Sequence, residues 1–193
     1  MTDTIDILDR TPLAKAWGRL DTYRVRHGRL DGTDQTVDRE VYDHGSAAAV
    51  LLYDPVAKAV VLTRQFRLPP HLNGDPSHLI EACAGLLDGD DPETCARREA
   101  VEETGYAPKT LAFVCDAYMS PGSLTEKCAC YVGAITIGQT ESAGGGLDHE
   151  GEDIEVITLA LDDALGMISF REIVDAKTII LLQWLALNPG WTG

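Results

Sequence analysis

The sequence predicts a mixed α/β fold, a mixed sheet flanked by helices, on three observations. Two apolar runs of strand length, AAAVLLYD (47–54) and KAVVLTRQFR (58–67), meet across the turn signal Asp54-Pro55. One segment, Pro92 to Thr104, carries helix signals at both ends. Strand-like and helix-like segments follow one another without the regular βα alternation of a purely parallel sheet.

Taken in order, Thr22 to Arg26 and Arg39 to Tyr42 read as the first strands, ahead of the pair at 47–54 and 58–67. Pro69-Pro70 and Asn73-Gly74-Asp75-Pro76 read as a loop, and His78 to Cys83 as a strand ending at Ala84-Gly85. Asp90 or Asp91 can cap a helix whose first residue is Pro92, where a missing N–H is harmless. Gly105 supplies its left-handed stop. Strands at 110–118 and 127–137 follow, then an acidic loop opened by Gly144-Gly145-Gly146 and reaching Asp153, then a strand at 154–161. Helices near 162–168 and 175–187 end the sequence, the second stopped by Asn188-Pro189-Gly190. No repeat, low-complexity tract or linker interrupts these 193 residues, which suit one full domain.

The charge balance narrows the partners. Against 16 Lys and Arg stand 31 Asp and Glu, a formal charge of −15. A nucleic-acid partner is therefore not expected, because phosphate backbones are held by positive fields. A small phosphorylated ligand remains open if metal cations bridge acid to acid. No apolar run approaches the roughly 18–20 residues of a membrane span. The acidic start MTDTIDILDR lacks a basic segment followed by an apolar one, and the five cysteines form no C-x-x-C pair. Both point to a cytoplasmic protein with reduced thiols acting as small core residues.

The chemistry is concentrated in Gly85-LLDGDDPETCAR-Arg98-Glu99-AV-Glu102-Glu103-T-Gly105. On a helix Glu99, Glu102 and Glu103 fall at i, i+3 and i+4, so their carboxylates share one face. Arg98 reaches Glu102, and Glu93 reaches Arg97. Such a stripe repels itself unless a cation sits within it, and all-oxygen ligation suits Mg²⁺ shared with substrate phosphates. A solvated acidic face is the plainer alternative. R-E-x-x-E-E-x-G, however, arises by chance in a chain of this length on the order of once in ten thousand.

This segment resembles the Nudix box, Gly-x5-Glu-x7-Arg-Glu-U-x-Glu-Glu-x-Gly-U with U apolar, through Arg98, Glu99, Ala100, Glu102, Glu103, Gly105 and Tyr106. It departs in having Asp90 for the first Glu and Gly85 one residue nearer to it. The resemblance continues through REVYDHG (39–45), RQFR (64–67), 79–87, YMSPGSLTE (118–126), GGG to EDIEV (144–156) and DAKT (175–178). These look like the GDP-mannose pyrophosphatase branch of the Nudix hydrolases. Pro121, sixteen residues after Gly105, is also a feature of ADP-ribose pyrophosphatases.

The resemblance implies an α/β/α sandwich over 46–193 and an N-terminal strand extension over 1–45 that contributes to a homodimer. It implies Mg²⁺, or Mn²⁺, held by Glu99, Glu103, Glu152 and the main-chain carbonyl of Ala84. Glu152, Glu103 and Glu102 are the catalytic candidates, with Glu150, Asp153 and Glu155 rivals to Glu152 in the same loop. Substrate candidates are Trp17, Arg39, Glu40, Arg67, Gly85, Leu86, Glu126 and Lys177. Guanidinium groups suit phosphate, and Trp17 offers a stacking face. The blander alternatives are ion pairs with surface carboxylates for Arg39 and Arg67, an exposed helix position for Lys177 and a core position for Trp17. The implied reaction is Mg²⁺-dependent cleavage of a nucleotide sugar at its diphosphate, GDP-mannose giving GMP and mannose 1-phosphate. Cleavage of ADP-ribose, or a sensor that binds without cleaving, are the alternatives; sensors tend to lose the box acids that are present here.

Overall fold

The computed structural model describes residues 5–147 and 151–193, and divides into two compact units. The first comprises Met1–Ser46 with Tyr118–Lys127, and the second Ala47–Ala117 with Cys128–Gly193.

The first unit is built on an antiparallel meander of β1 (Ile5–Lys15), β2 (Arg19–Gly28) and β3 (Asp34–Asp43). Strand β1 was not anticipated from the sequence, and β2 and β3 run longer than expected. Every residue of β1 is exposed, including Ile5, Ile7, Leu8 and Leu13. Its register with β2 rests on the backbone ladder and on cross-strand charge pairs such as Arg26–Asp6 at 2.6 Å.

The second unit holds a seven-stranded mixed sheet ordered β10-β5-β4-β9-β8, with β6 added to β5 and β7 to β4. These are β4 (Ala47–Asp54), β5 (Ala59–Phe66), β6 (His78–Glu81), β7 (Cys83–Leu86), β8 (Thr110–Tyr118), β9 (Lys127–Ala134) and β10 (Glu155–Ala160). All eight residues of β4 are buried, as its unbroken apolar run requires of a central strand covered on both faces. Ala48, Val50 and Leu52 pack with Cys95, Ala96 and Ala100 of α2 (Pro92–Thr104). The alternate residues of β4 turn to the other face, where α4 (Ala176–Leu187) lies on it and α3 (Leu161–Ser169) packs on α4. The result is three layers, α/β/α. No helix among the described residues is long and apolar enough to cross a membrane.

Three local expectations change. The Pro69-Pro70 loop contains a short helix, α1 (Leu68–Leu72), because both prolines sit in its first turn. Strand β9 ends at Ala134, short of 137. The strand expected over 78–83 is two strands broken at Ala82, whose N–H donates to Thr178 Oγ1 at 2.7 Å and so leaves the ladder. Strands β4 and β5 separate at this point: β5 pairs with β4 at one end and with β6 at the other.

Candidate active site

Helix α2 begins where Asp91 accepts from the N–H groups of Glu93 and Thr94, and ends at Gly105 with φ 78°. Its sheet-facing side carries Ala96 and Ala100, and also Glu99 and Glu103, which are 8% and 1% exposed. Small alanines let the helix approach the sheet closely, and that approach carries the two carboxylates inward. The Glu99 carboxylate lies directly over Gly85 of β7, where any Cβ would overlap it. Glycine is required there for space, which ties Gly85 to the acids sequentially distant from it.

The expected three-acid stripe is divided. Glu102 turns to Arg98, which donates to its Oε2 at 3.0 Å. The same guanidinium pairs with Glu99 at 2.8 Å and Asp90 at 3.3 Å, and donates to the Leu86 carbonyl at 3.2 Å. Arg98 thereby ties the strand β7 end to the helix and holds Glu99 in place. Glu103 has the Cys83 thiol against it, but its buried Oε2 has no partner.

Burial pushes the Glu99 carboxyl from 4.5 to about 7, with Arg98 opposing and Glu102 and Glu152 adding to the rise. Burial pushes Glu103 further, to about 8, reinforced by Glu99 and Glu152 and opposed by Arg67. Glu152 belongs to the acidic loop, and its Oε2 accepts from the Leu147 N–H at 2.9 Å. That loop is anchored on the same helix: the N–H groups of Gly145 and Gly146 donate to the carbonyls of Glu103 and Glu102 at 2.9 and 3.1 Å. Among the rivals, Glu155 is paired with Arg64 at 2.9 Å at the edge of the sheet, Asp153 is exposed, and Glu150 lies outside the described residues.

Three acids whose fields reach one another, with a buried oxygen left without a donor, form a site short of positive charge. A hard divalent cation fits that donor set. No group of three His, Cys, Asp or Glu among the described residues encloses a cation alone. A shell completed by a carbonyl such as that of Ala84, by water and by substrate oxygens matches how Mg²⁺ is usually bound.

Beside the acids lies a pair of cations that sequence reasoning could not connect. Arg67 Nε donates to Glu81 Oε2 at 2.8 Å, and Lys177 Nζ donates to Glu81 Oε1 at 2.9 Å and to Asp175 Oδ1 at 2.8 Å. Lys177 is therefore a largely buried residue and not an exposed helix position. Burial opposes its charge, but Glu81 and Asp175 hold it well above the ordinary lysine value. Glu81 escaped the sequence reading because its partners stand 14 and 96 residues away.

Within the N-terminal unit, Trp17 is 73% exposed and not in the core. Its ring stacks on His44, with centroids 4.9 Å apart and planes at 18°, and His44 Nε2 lies 3.6 Å from Glu126 Oε2. Two expected substrate residues thus meet through a histidine that no spacing argument singled out. Trp17 borders a cavity of about 520 Å³ lined also by Arg10, Arg19, Asp21 and His44. Buried Asp21 pairs with Arg10 at 2.8 Å and Arg19 at 3.0 Å, and its Oδ1 has no partner. Arg39 and Glu40 are exposed on β3, and Arg39 donates to the Asp38 carbonyl at 2.9 Å.

The model of the NUDIX domain matches residues 43–178. A GDP-mannose pyrophosphatase of Pectobacterium atrosepticum is 44% identical over 192 residues, 99% of this chain and 98% of that protein. GDP-mannose pyrophosphatases of Shigella flexneri and Escherichia coli O157:H7 are each 43% identical over 189 residues, 97% of this chain and 98% of theirs. A solved ADP compounds hydrolase superposes with a TM-score of 0.70 at 19% identity, covering 95% of both chains, and so shares the fold. With Glu99 and Glu103 of α2 buried, Glu99 directly over Gly85 of β7, and with most of its length matched by the domain model, the chain belongs to the NUDIX family.

Proposed function

We infer that the protein hydrolyses the diphosphate of a nucleoside diphosphate sugar, with GDP-mannose the preferred substrate and GMP and mannose 1-phosphate the products. The observation that carries the reading is the buried Glu99–Glu103 pair, with Glu99 over Gly85 and Glu103 Oε2 left without a partner. The choice of substrate is supported by 44% identity to a GDP-mannose pyrophosphatase across 99% of the chain.

Glu99, Glu103, Glu152 and the Ala84 carbonyl would hold Mg²⁺ or Mn²⁺, which neutralises a diphosphate and makes a bound water more acidic. The chain's own groups supply the rest. Arg67 leaves its two Nη groups for phosphate oxygens after using Nε on Glu81. Lys177 carries a permanent positive charge beside the same carboxylate. Glu152, which follows the glycines hydrogen-bonded to α2, takes or orients the proton of the attacking water. Glu102 acts through Arg98, keeping Glu99 and the Leu86 carbonyl in register. Gly85 and Leu86 line the approach to the acids.

Trp17 supplies a stacking face for the base, and Glu126, Arg39 and Glu40 supply polar contacts to base or sugar. The exposed apolar residues of β1 support a homodimer in which the N-terminal strands of one copy complete the site of the other. Incubation with a panel of nucleotide sugars and Mg²⁺, read by product mass, tests the assignment. GDP-mannose should give the highest kcat/KM; a value for ADP-ribose tenfold above it would overturn the substrate while leaving the chemistry.

A further inference from the structure

We propose that Glu81 is a positioning residue for diphosphate binding, one buried carboxylate that locks Arg67 and Lys177 into a two-cation clamp. The inference rests on the reading above that both cations meet substrate phosphates. Glu81 closes β6 and its side chain is 4% exposed. Each of its oxygens is taken by a different cation, Oε1 by Lys177 at 2.9 Å and Oε2 by Arg67 at 2.8 Å. With both oxygens engaged, Glu81 acts through the cations and not on substrate.

The cations come from separate elements, Arg67 just after β5 and Lys177 in the first turn of α4. Glu81 is the carboxylate both cations share, Lys177 being held also by Asp175, and it therefore sets the distance between them. The anchor is itself held. Thr63 Oγ1 donates to the Glu81 carbonyl at 3.3 Å. Ala82 N–H donates to Thr178 Oγ1 at 2.7 Å, and that hydroxyl donates to the α4 cap Asp175 at 2.6 Å. Long, flexible cations lose much rotamer freedom on binding phosphate, and pre-orientation removes that loss before substrate arrives.

Glu81→Gln keeps the shape, retains one acceptor and places an amide against the other cation. It should raise KM for the nucleotide sugar on the order of tenfold while kcat changes less. The inhibition constant of GDP should rise by a similar factor, and binding of guanosine, which has no phosphate, should not change. In an Arg67→Ala, Lys177→Ala background the Gln substitution should add nothing further to KM or to the GDP constant. Unchanged GDP binding, weakened guanosine binding, or an added effect in that background overturns the proposal. If the Arg67→Ala and Lys177→Ala changes themselves leave GDP binding intact, the assignment of those residues to phosphate falls, and the clamp with it. Should the Gln variant fail to fold, Glu81→Asp retains the charge but reaches one cation only, and the same constants decide.

Discussion

Removing the charge of Glu103 should stabilise the metal-free protein while disabling it. The side chain is 1% exposed, its Oε2 has no partner, and two other carboxylates act on it. Its carboxyl is displaced from 4.5 to about 8, and at about 1.4 kcal/mol per pH unit that displacement corresponds to about 5 kcal/mol. Relaxation and water entry reduce such penalties, so about 2 kcal/mol is the expected gain for Glu103→Gln at pH 8. For a chain of this size that is a rise in Tm of about 4–8 °C.

The pH dependence has a definite sign. Between the ordinary carboxyl value and about 8 the native state holds a proton on Glu103 that the unfolded chain has released. Stability of the metal-free wild type therefore falls as pH rises through this interval, and the Gln variant escapes this part of the fall. Differential scanning calorimetry in EDTA should show the variant's advantage at pH 8 and its near disappearance at pH 5. Saturating Mg²⁺ should raise the wild-type Tm and leave the variant almost unmoved, since ligands stabilise the state that binds them. The variant's kcat should fall on the order of 10³-fold or more. A variant less stable than wild type at pH 8 in EDTA, with an undiminished Mg²⁺ shift, would refute the reasoning.

Two further expectations concern Gly85 and assembly. Gly85→Ala places a methyl group where the Glu99 carboxylate lies, so that side chain must swing off Arg98. A displacement of this size should lower kcat on the order of 10²-fold. Because the obstructed atoms are the end of a side chain, Tm should move by only a few degrees; unchanged kinetics would show that the contact is irrelevant. Light scattering at micromolar concentration should give twice the mass of the 20.9 kDa chain. A fully active monomer would separate the exposed face of β1 from catalysis.

What was legible in the sequence divides according to how far apart the interacting residues lie. Strand β4 declared itself because burial on both faces leaves an unbroken apolar run. Helix α2 declared itself through Asp91, Pro92 and Gly105, whose capping roles involve only their neighbours. The box acids were visible for the same reason, being three and four residues apart on that helix. What the pattern could not give was their partition: Glu99 goes inward against Gly85 and Glu103 against Cys83, while Glu102 stays with Arg98. That outcome depends on the close approach of a neighbouring strand, which helical periodicity does not encode.

The elements that escaped share the opposite property. Strand β1 carries no buried face, so its alternation has no core to report, and its extended state follows from pairing with β2. The break between β6 and β7 follows from a threonine 96 residues onward that takes the Ala82 amide. Glu81 stands beside that break and reads in sequence as the one acid of a short strand. Its burial is tolerable only because Arg67 and Lys177 converge on it after the sheet and α4 have assembled. The acids of the box are thus a local feature of one helix, whereas the cations facing them are a product of the tertiary fold. A substitution that loosens the docking of α4, such as Thr178→Val, should weaken phosphate binding without touching any box residue. In that variant the amide of Ala82 and the cap of Asp175 both lose their shared partner.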